Sequence, residues 1–233
     1  MDPILGIARR YGLAVVEDAT ESLGARYRGQ PVGALGDIAC FSFNGNKLIT
    51  TGGGGMIVTA NARWADQARY LIAQAKDDPV EYVHGTVGYN YRLSNLQAAL
   101  GCAQMECLDR HVAAKRQIAA RYAEALGQVP GITVMPEAPW AQCVYWLCTV
   151  LVDESVYGCD SRQLLARLSQ HGIQARPLWQ PLHRSPAFAG AWGVPCPTAD
   201  HLHRSALSLP SSAGLTPPDQ QRVIDVIQAA RLS

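Results

Sequence analysis

The chain opens on a helix-forming segment that runs straight into an apolar β-type segment, and no strand-like segment comes before it. Asp2 can cap that helix, Pro3 suits its first turn and Gly12 can end it. Residues 13–16 form a short apolar run that closes on Glu17 and Asp18. That pattern suits a parallel strand buried on both faces. A crossover helix ordinarily joins two parallel strands. The first domain is therefore expected to hold too few strands for a complete doubly wound sheet, as if its remaining strands came from elsewhere.

Residues 38–43 and 56–59 read as further strands. Apolar residues at helical spacing predict a helix over 61–76. Ser94 and Gln97 form a capping-box pattern at the start of a long helix that keeps one face apolar as far as Leu126. Continuous over that span it would be roughly 50 Å long, enough to link two domains. Residues 127–140 then carry three prolines and two glycines. The expected boundary lies there, giving domains 1–127 and 128–233. Beyond it the pattern reads as a strand over 144–152, a helix over 161–171, a strand over 173–176, a helix over 199–206 and a last helix from Thr216 to Arg231. This order implies a small α/β or α+β domain.

Composition narrows the function classes. Apolar residues make up 48% and charged residues 17%, an ordinary globular balance, and the formal net charge is +1 with no basic run. An electrostatic nucleic-acid footprint is not expected. No apolar stretch approaches the roughly 20 residues of a membrane helix, and the N-terminus lacks a signal-peptide pattern. A cytoplasmic location is the expectation. Cysteines stand at 40, 102, 107, 143, 148, 159 and 196 without any Cys-x-x-Cys pair, so reduced, buried thiols are expected rather than disulfides or a zinc site.

Several residues could carry chemistry. Asp18 stands at the C-terminal end of a strand, the edge where open α/β sheets bind ligands. A carboxylate there can accept a hydrogen bond from a protonated ring nitrogen; a cap or an ion pair is the alternative. Lys47 is the only ionisable side chain over residues 38–59 apart from Cys40. A lysine without a carboxylate neighbour in sequence is suited to act as an amine nucleophile and form a Schiff base, although an ordinary surface lysine also fits. Gly52 to Gly55 match neither a Walker A loop nor a dinucleotide fingerprint, and a tight turn between strands is the preferred reading. Residues 88–93 precede the long helix, whose N-terminus could receive an anion. Arg176, Trp179 and His183 form an aromatic and cationic group that could contact a ligand or simply pack.

Taken in order, Val-Glu-Asp-Ala-Thr-Glu-Ser-Leu-Gly at 16–24, Gly-Asp-Ile at 36–38, Phe-Ser-Phe-Asn-Gly-Asn-Lys at 41–47, Ile-Thr-Thr-Gly-Gly-Gly-Gly-Met at 49–56 and Gly-Tyr-Asn-Tyr-Arg at 88–92 resemble the DegT/DnrJ/StrS family of sugar aminotransferases. The resemblance implies a pyridoxal-phosphate-dependent transferase of the aspartate aminotransferase fold (fold type I). The chain would be an incomplete large domain plus a small C-terminal α+β domain, lacking the family's long N-terminal stretch. It implies that Lys47 binds pyridoxal 5'-phosphate covalently and shuttles a proton. By the same resemblance Asp18 keeps the pyridine nitrogen protonated, Ser42 binds the phosphate and Glu21 lies near the ring oxygen. Asn90 would reach the cofactor of a neighbouring subunit, which implies a homodimer with shared sites.

Residues 75–84 and 173–179 are similar to the subgroup that acts on UDP-linked 4-keto-6-deoxy-N-acetylhexosamines, on routes to bacillosamine and legionaminic acid. The implied reaction transfers an amino group from glutamate to C4 of a nucleotide-linked keto sugar, with Arg176, Trp179 and His183 as substrate contacts. Family relatives that are dehydratases carry His in place of the lysine, and Lys47 argues against that chemistry. Two other readings stand beside the enzyme: an inactive remnant or dimerising partner of such an enzyme, and a nucleotide-binding module built on the glycine run.

Overall fold

The computed structural model describes residues 1–78 and 80–230. In chain order the elements are α1 (Asp2–Tyr11), β1 (Val16–Asp18), β2 (Arg26–Tyr27), β3 (Gln30–Pro31), β4 (Ile38–Ser42), β5 (Gly55–Val58), α2 (Ala62–Ile72), β6 (Lys76–Asp78), β7 (Val83–His84), α3 (Asn95–Met105), α4 (Leu108–Leu126), β8 (Ile132–Val134), β9 (Ala141–Gln142), β10 (Cys148–Val152), α5 (Glu154–Tyr157), α6 (Ser161–Gln170), β11 (Arg176–Pro177), α7 (Pro197–Ser205), β12 (Ala206–Leu209) and α8 (Pro217–Ala230). The chain divides into two units, residues 1–113 with 137–146 and residues 114–136 with 147–233. The division falls inside α4, and the segment 137–146 returns to the first unit; residue 127, the boundary expected from composition, follows the end of α4.

The first unit is organised on a three-stranded sheet of order β1-β4-β5. β1 and β4 are parallel, with Val16 opposite Ile38 and Asp18 opposite Cys40. β5 returns antiparallel on the far side of β4. β3, β2 and β9 make a second small sheet, so pairing across more than 100 residues ties 141–142 back to 26–27. Ala19, Ala39, Phe43 and Ile49 supply much of the buried apolar surface. β1 departs from expectation: Leu13 is 59% and Val16 65% exposed, so the strand is not buried on both faces. Its buried side chain is instead Glu17. One carboxylate oxygen accepts from Leu35 N (2.7 Å) and Gly36 N (2.6 Å), the other from Gly33 N (2.9 Å). Three amide donors offset the cost of burying the charge and pin the 33–36 loop against the strand.

The second unit holds a four-stranded antiparallel sheet of order β11-β12-β10-β8. All four residues of β12 are buried, and α6 packs against α8. Val150, Leu164, Leu168, Leu207, Ile224 and Ile227 are fully buried. At about 1.5–3 kcal/mol for each large apolar side chain, this is a core of its own. Burial pushes the phenols of Tyr122 and Tyr157 far above their ordinary range. Each keeps a partner, Pro210 O at 2.9 Å and Ile227 O at 2.6 Å respectively. Lys115 is also buried and donates to Ser211 O (2.5 Å) and Ser211 Oγ (3.2 Å).

Several other expectations change. The long helix is two helices, interrupted at Glu106 and Cys107, where Cys107 N bonds Gln104 O (3.0 Å) in a tighter turn. Neither proline nor glycine marks that break. Asp2 lies inside α1 rather than at its cap, and bridges Arg28 at 2.6 Å. The strand expected over 144–152 shortens to β10, and the one expected over 173–176 shifts to β11, which shares only Arg176 with it. The cysteines are free thiols, but only Cys148 and Cys159 are buried. The last expected helical residue, Arg231, lies outside the described residues.

Candidate active site

Because β1 and β4 run parallel, their C-terminal ends open on one edge of the sheet, where open α/β sheets receive ligands. β1 ends at Asp18 and β4 at Ser42. Beyond Ser42 the chain turns tightly: Asn44 N donates to Ser42 Oγ (3.3 Å) and Lys47 N to Asn44 O (3.0 Å). Phe43 and Ile49 are buried on either side of the turn and anchor it. The glycine run is a strand-to-strand turn, closed by Thr51 N to Phe43 O (2.9 Å) and Phe43 N to Gly54 O (3.0 Å). Gly52 (φ 79°) and Gly54 (φ 82°) take the left-handed conformations that turn requires.

Lys47 extends from this turn into a partly enclosed position. Its side chain is 12% exposed, and Nζ lies 3.0 Å from Glu21 Oε1. The expectation of a lysine without a carboxylate neighbour is therefore corrected. No acid lies near it in sequence, but the loop after β1 delivers one. Nζ also sits 4.2 Å from the ring centroid of Trp146, whose indole Nε1 donates to Asn46 O at 2.8 Å. Thr20, Glu21, Ser42, Lys47 and Trp146 line a cavity of about 10 Å³, roughly the room one water needs.

Asp18 lies within electrostatic reach of Lys47. Its Oδ1 accepts from Thr20 Oγ1 (2.7 Å) and Thr20 N (3.3 Å). Those two bonds, with the Lys47 charge adding to them, hold the carboxyl below its ordinary value against a smaller opposing effect of burial. Asp18 is thus ionised across the neutral range.

The structure brings Glu21, Ser42 and Lys47 together around one small cavity, and Asp18 ends the strand that pairs with β4 beside it. Asn90 lies elsewhere in the first unit. It bridges Ala73 and lines a depression with Lys76, Arg92 and Ser94. Arg176, Trp179 and His183 lie in the second unit. Arg176 is exposed on β11 opposite Ser208, Trp179 is exposed, and His183 Nε2 lies 3.0 Å from Asp200 Oδ1. Burial pushes the Asp200 carboxyl up, but His183 and Arg184 outweigh it and hold it low. Two residues of the Lys47 group escaped sequence reasoning. Trp146 comes from 99 positions away with no local signal, whereas Thr20, two residues after Asp18, carries the Asx-turn pattern that could have found it.

The donor set fits pyridoxal phosphate. It offers an amine for the aldehyde carbon, a strand-end carboxylate for the protonated ring nitrogen and a hydroxyl for the phosphate.

Residues 1–228 match the DegT/DnrJ/EryC1/StrS aminotransferase family. EpsN of Bacillus subtilis (strain 168), whose name places it among pyridoxal phosphate-dependent aminotransferases, is 42% identical over 97% of this chain and 59% of its own length. The GDP-perosamine synthase of Caulobacter vibrioides is 41% identical over 96% of this chain and 60% of its own length. Among solved structures, S. venezuelae DesV in complex with a ketimine intermediate superposes with a TM-score of 0.91 and 34% identity, covering 100% of this chain and 62% of DesV. The chain thus spans about 60% of the length of the relatives it matches.

Proposed function

The chain belongs to the DegT/DnrJ/EryC1/StrS aminotransferase family and has the type I fold of its pyridoxal-phosphate-dependent members; from that premise we propose that it is the lysine-bearing part of a nucleotide-sugar aminotransferase. The substrate in this reading is a nucleotide-linked 4-keto-6-deoxy sugar aminated at C4, with glutamate as amino donor. The observation that carries it is the grouping of Lys47, Asp18 and Ser42 at the shared C-terminal edge of β1 and β4. The 41% identical relative is a GDP-perosamine synthase, which supports a nucleotide-linked amino sugar as product.

Bound pyridoxal phosphate supplies an electron sink for the carbanion that amino transfer requires. The residues of this chain then have separable tasks. Lys47 Nζ would attach the cofactor and, once displaced by the donor amine, carry a proton to and from the reacting carbon. Asp18, whose pKa Thr20 lowers further, would accept a hydrogen bond from the protonated ring nitrogen. Ser42 Oγ would bind the phosphate. Glu21 already holds the amine of Lys47 and would lie beside the ring oxygen. Arg176, Trp179 and His183 are proposed as substrate contacts.

Asn90 is proposed to serve the site of a second copy, which makes the working form a homodimer. Asn90 lines a different cavity of the first unit from the one that holds Lys47, which supports that assignment. Among the described residues no helix is long and apolar enough to cross a membrane, in keeping with a proposed cytoplasmic location. The test is amino transfer from glutamate to nucleotide-linked 4-keto-6-deoxy sugars, followed by mass spectrometry of the sugar product. Turnover lost in Lys47→Ala supports the proposal. Turnover retained in that variant contradicts it.

A further inference from the structure

Trp146 touches both ends of Lys47. Its ring faces the ammonium at 4.2 Å from the centroid, and its indole N–H donates to the carbonyl of Asn46, the residue bonded to the lysine's own backbone nitrogen. All of these residues belong to the first unit, to which the segment ending at Trp146 returns through pairing of β9 with β2. Glu21 takes the remaining side of the amine at 3.0 Å. A free lysine loses side-chain rotamer entropy when fixed in one geometry. Here one indole fixes the turn below the side chain and the charge at its tip.

We propose that Trp146 is a positioning residue for Lys47. Its ring closes one side of the amine and its indole N–H fixes the backbone beneath it, so that Nζ is held in one place against Glu21. This rests on the reading of Lys47 as the cofactor-binding amine. A packed indole N–H ordinarily finds some acceptor, but the cation over the ring face ties Trp146 to the amine itself.

The chain has three lysines, which makes the test internal. Lys76 lies in the same unit and serves as the reference; Lys115 is buried and reports loss of fold. The full chain, without pyridoxal phosphate, is acetylated with an amine-reactive ester and analysed by peptide mass spectrometry. Trp146→Ala is expected to raise Lys47 labelling about fivefold relative to Lys76. Trp146→Phe, which keeps a ring but loses the indole N–H, is expected to give a smaller rise. Lys115 stays protected in both. In parallel, borohydride trapping of pyridoxal phosphate on Lys47 is expected to fall in Trp146→Ala, so the amine becomes more reachable yet less well aimed.

Unchanged Lys47 labelling with Lys115 protected would overturn the proposal. If Trp146→Ala exposes Lys115, Trp146→Phe decides. Lys115 exposed in both variants also overturns it, because the indole is then a fold requirement. Failure to trap pyridoxal phosphate on the unsubstituted chain would refute the cofactor reading alone and leave the labelling comparison to judge Trp146.

Discussion

Lys47 Nζ and Glu21 Oε1 lie 3.0 Å apart although 26 positions separate them in sequence. The pair joins the turn after β4 to the loop after β1, and Glu21 is 48% exposed. Such a half-open pair contributes little to stability, about 1 kcal/mol or less after solvent screening. Glu21→Gln, which keeps an acceptor and removes the charge, is expected to change unfolding free energy by less than about 1 kcal/mol in a urea titration. A loss of several kcal/mol would mark the pair as structural rather than as part of the site.

Thr20 lowers the pKa of Asp18. Its hydroxyl and amide both donate to Oδ1 and depress the carboxyl's pKa. Thr20→Ala is expected to raise that pKa toward the ordinary value of 3.8, read by carbon NMR of the labelled carboxyl. A depressed folded-state pKa contributes stability above the unfolded value, and that contribution is lost as pH falls through the folded value. The effect lies below about pH 4. A carboxyl pKa that does not move in the variant would show that Thr20 is not the cause.

Glu17 is a structural carboxylate. It accepts three backbone N–H bonds from the 33–36 loop, and Glu17→Ala leaves those donors without it. A loss of about 3 kcal/mol is expected, with faster amide exchange at Gly33, Leu35 and Gly36. Amides that stay protected in the variant would contradict this role.

Two glycines of the second unit separate backbone strain from crowding. Gly131 (φ 82°) would place a Cβ 2.4 Å from Tyr157 N, whereas Gly190 (φ 84°) has nothing within 4 Å. Gly190→Ala is expected to cost about 1–2 kcal/mol from the left-handed backbone alone. Gly131→Ala carries the same strain plus a clash with backbone and is expected to cost about 3–5 kcal/mol. Equal melting temperatures for the two variants would contradict the difference.

Local pattern and tertiary delivery divide what was legible in advance. The Ser94–Gln97 capping box and the left-handed cap at Gly12 form because the determining atoms lie within a few residues of each other. The strand end at Asp18 and the turn at Gly52 to Gly55 were legible for the same reason. What stayed hidden depends on distant chain. The Glu21 and Trp146 contacts to Lys47 cross 26 and 99 positions, and β9 finds β2 across more than 100. The exposure of Val16 and Leu13 could not follow from their apolarity, since burial depends on what packs against a strand rather than on the strand itself. The break at Glu106 and Cys107 arises from tightened hydrogen bonding between ordinary helix formers, so no residue type signals it.

Covalent capture of pyridoxal phosphate at Lys47 is the most direct measurement. The chain is incubated with the cofactor, reduced with borohydride, digested and mapped by mass spectrometry. The modification is expected on Lys47, with visible absorbance that borohydride bleaches, and little on Lys76 or Lys115. A colourless chain, or modification spread in proportion to exposure with no preference for Lys47, would contradict the assignment of this lysine as the cofactor's anchor.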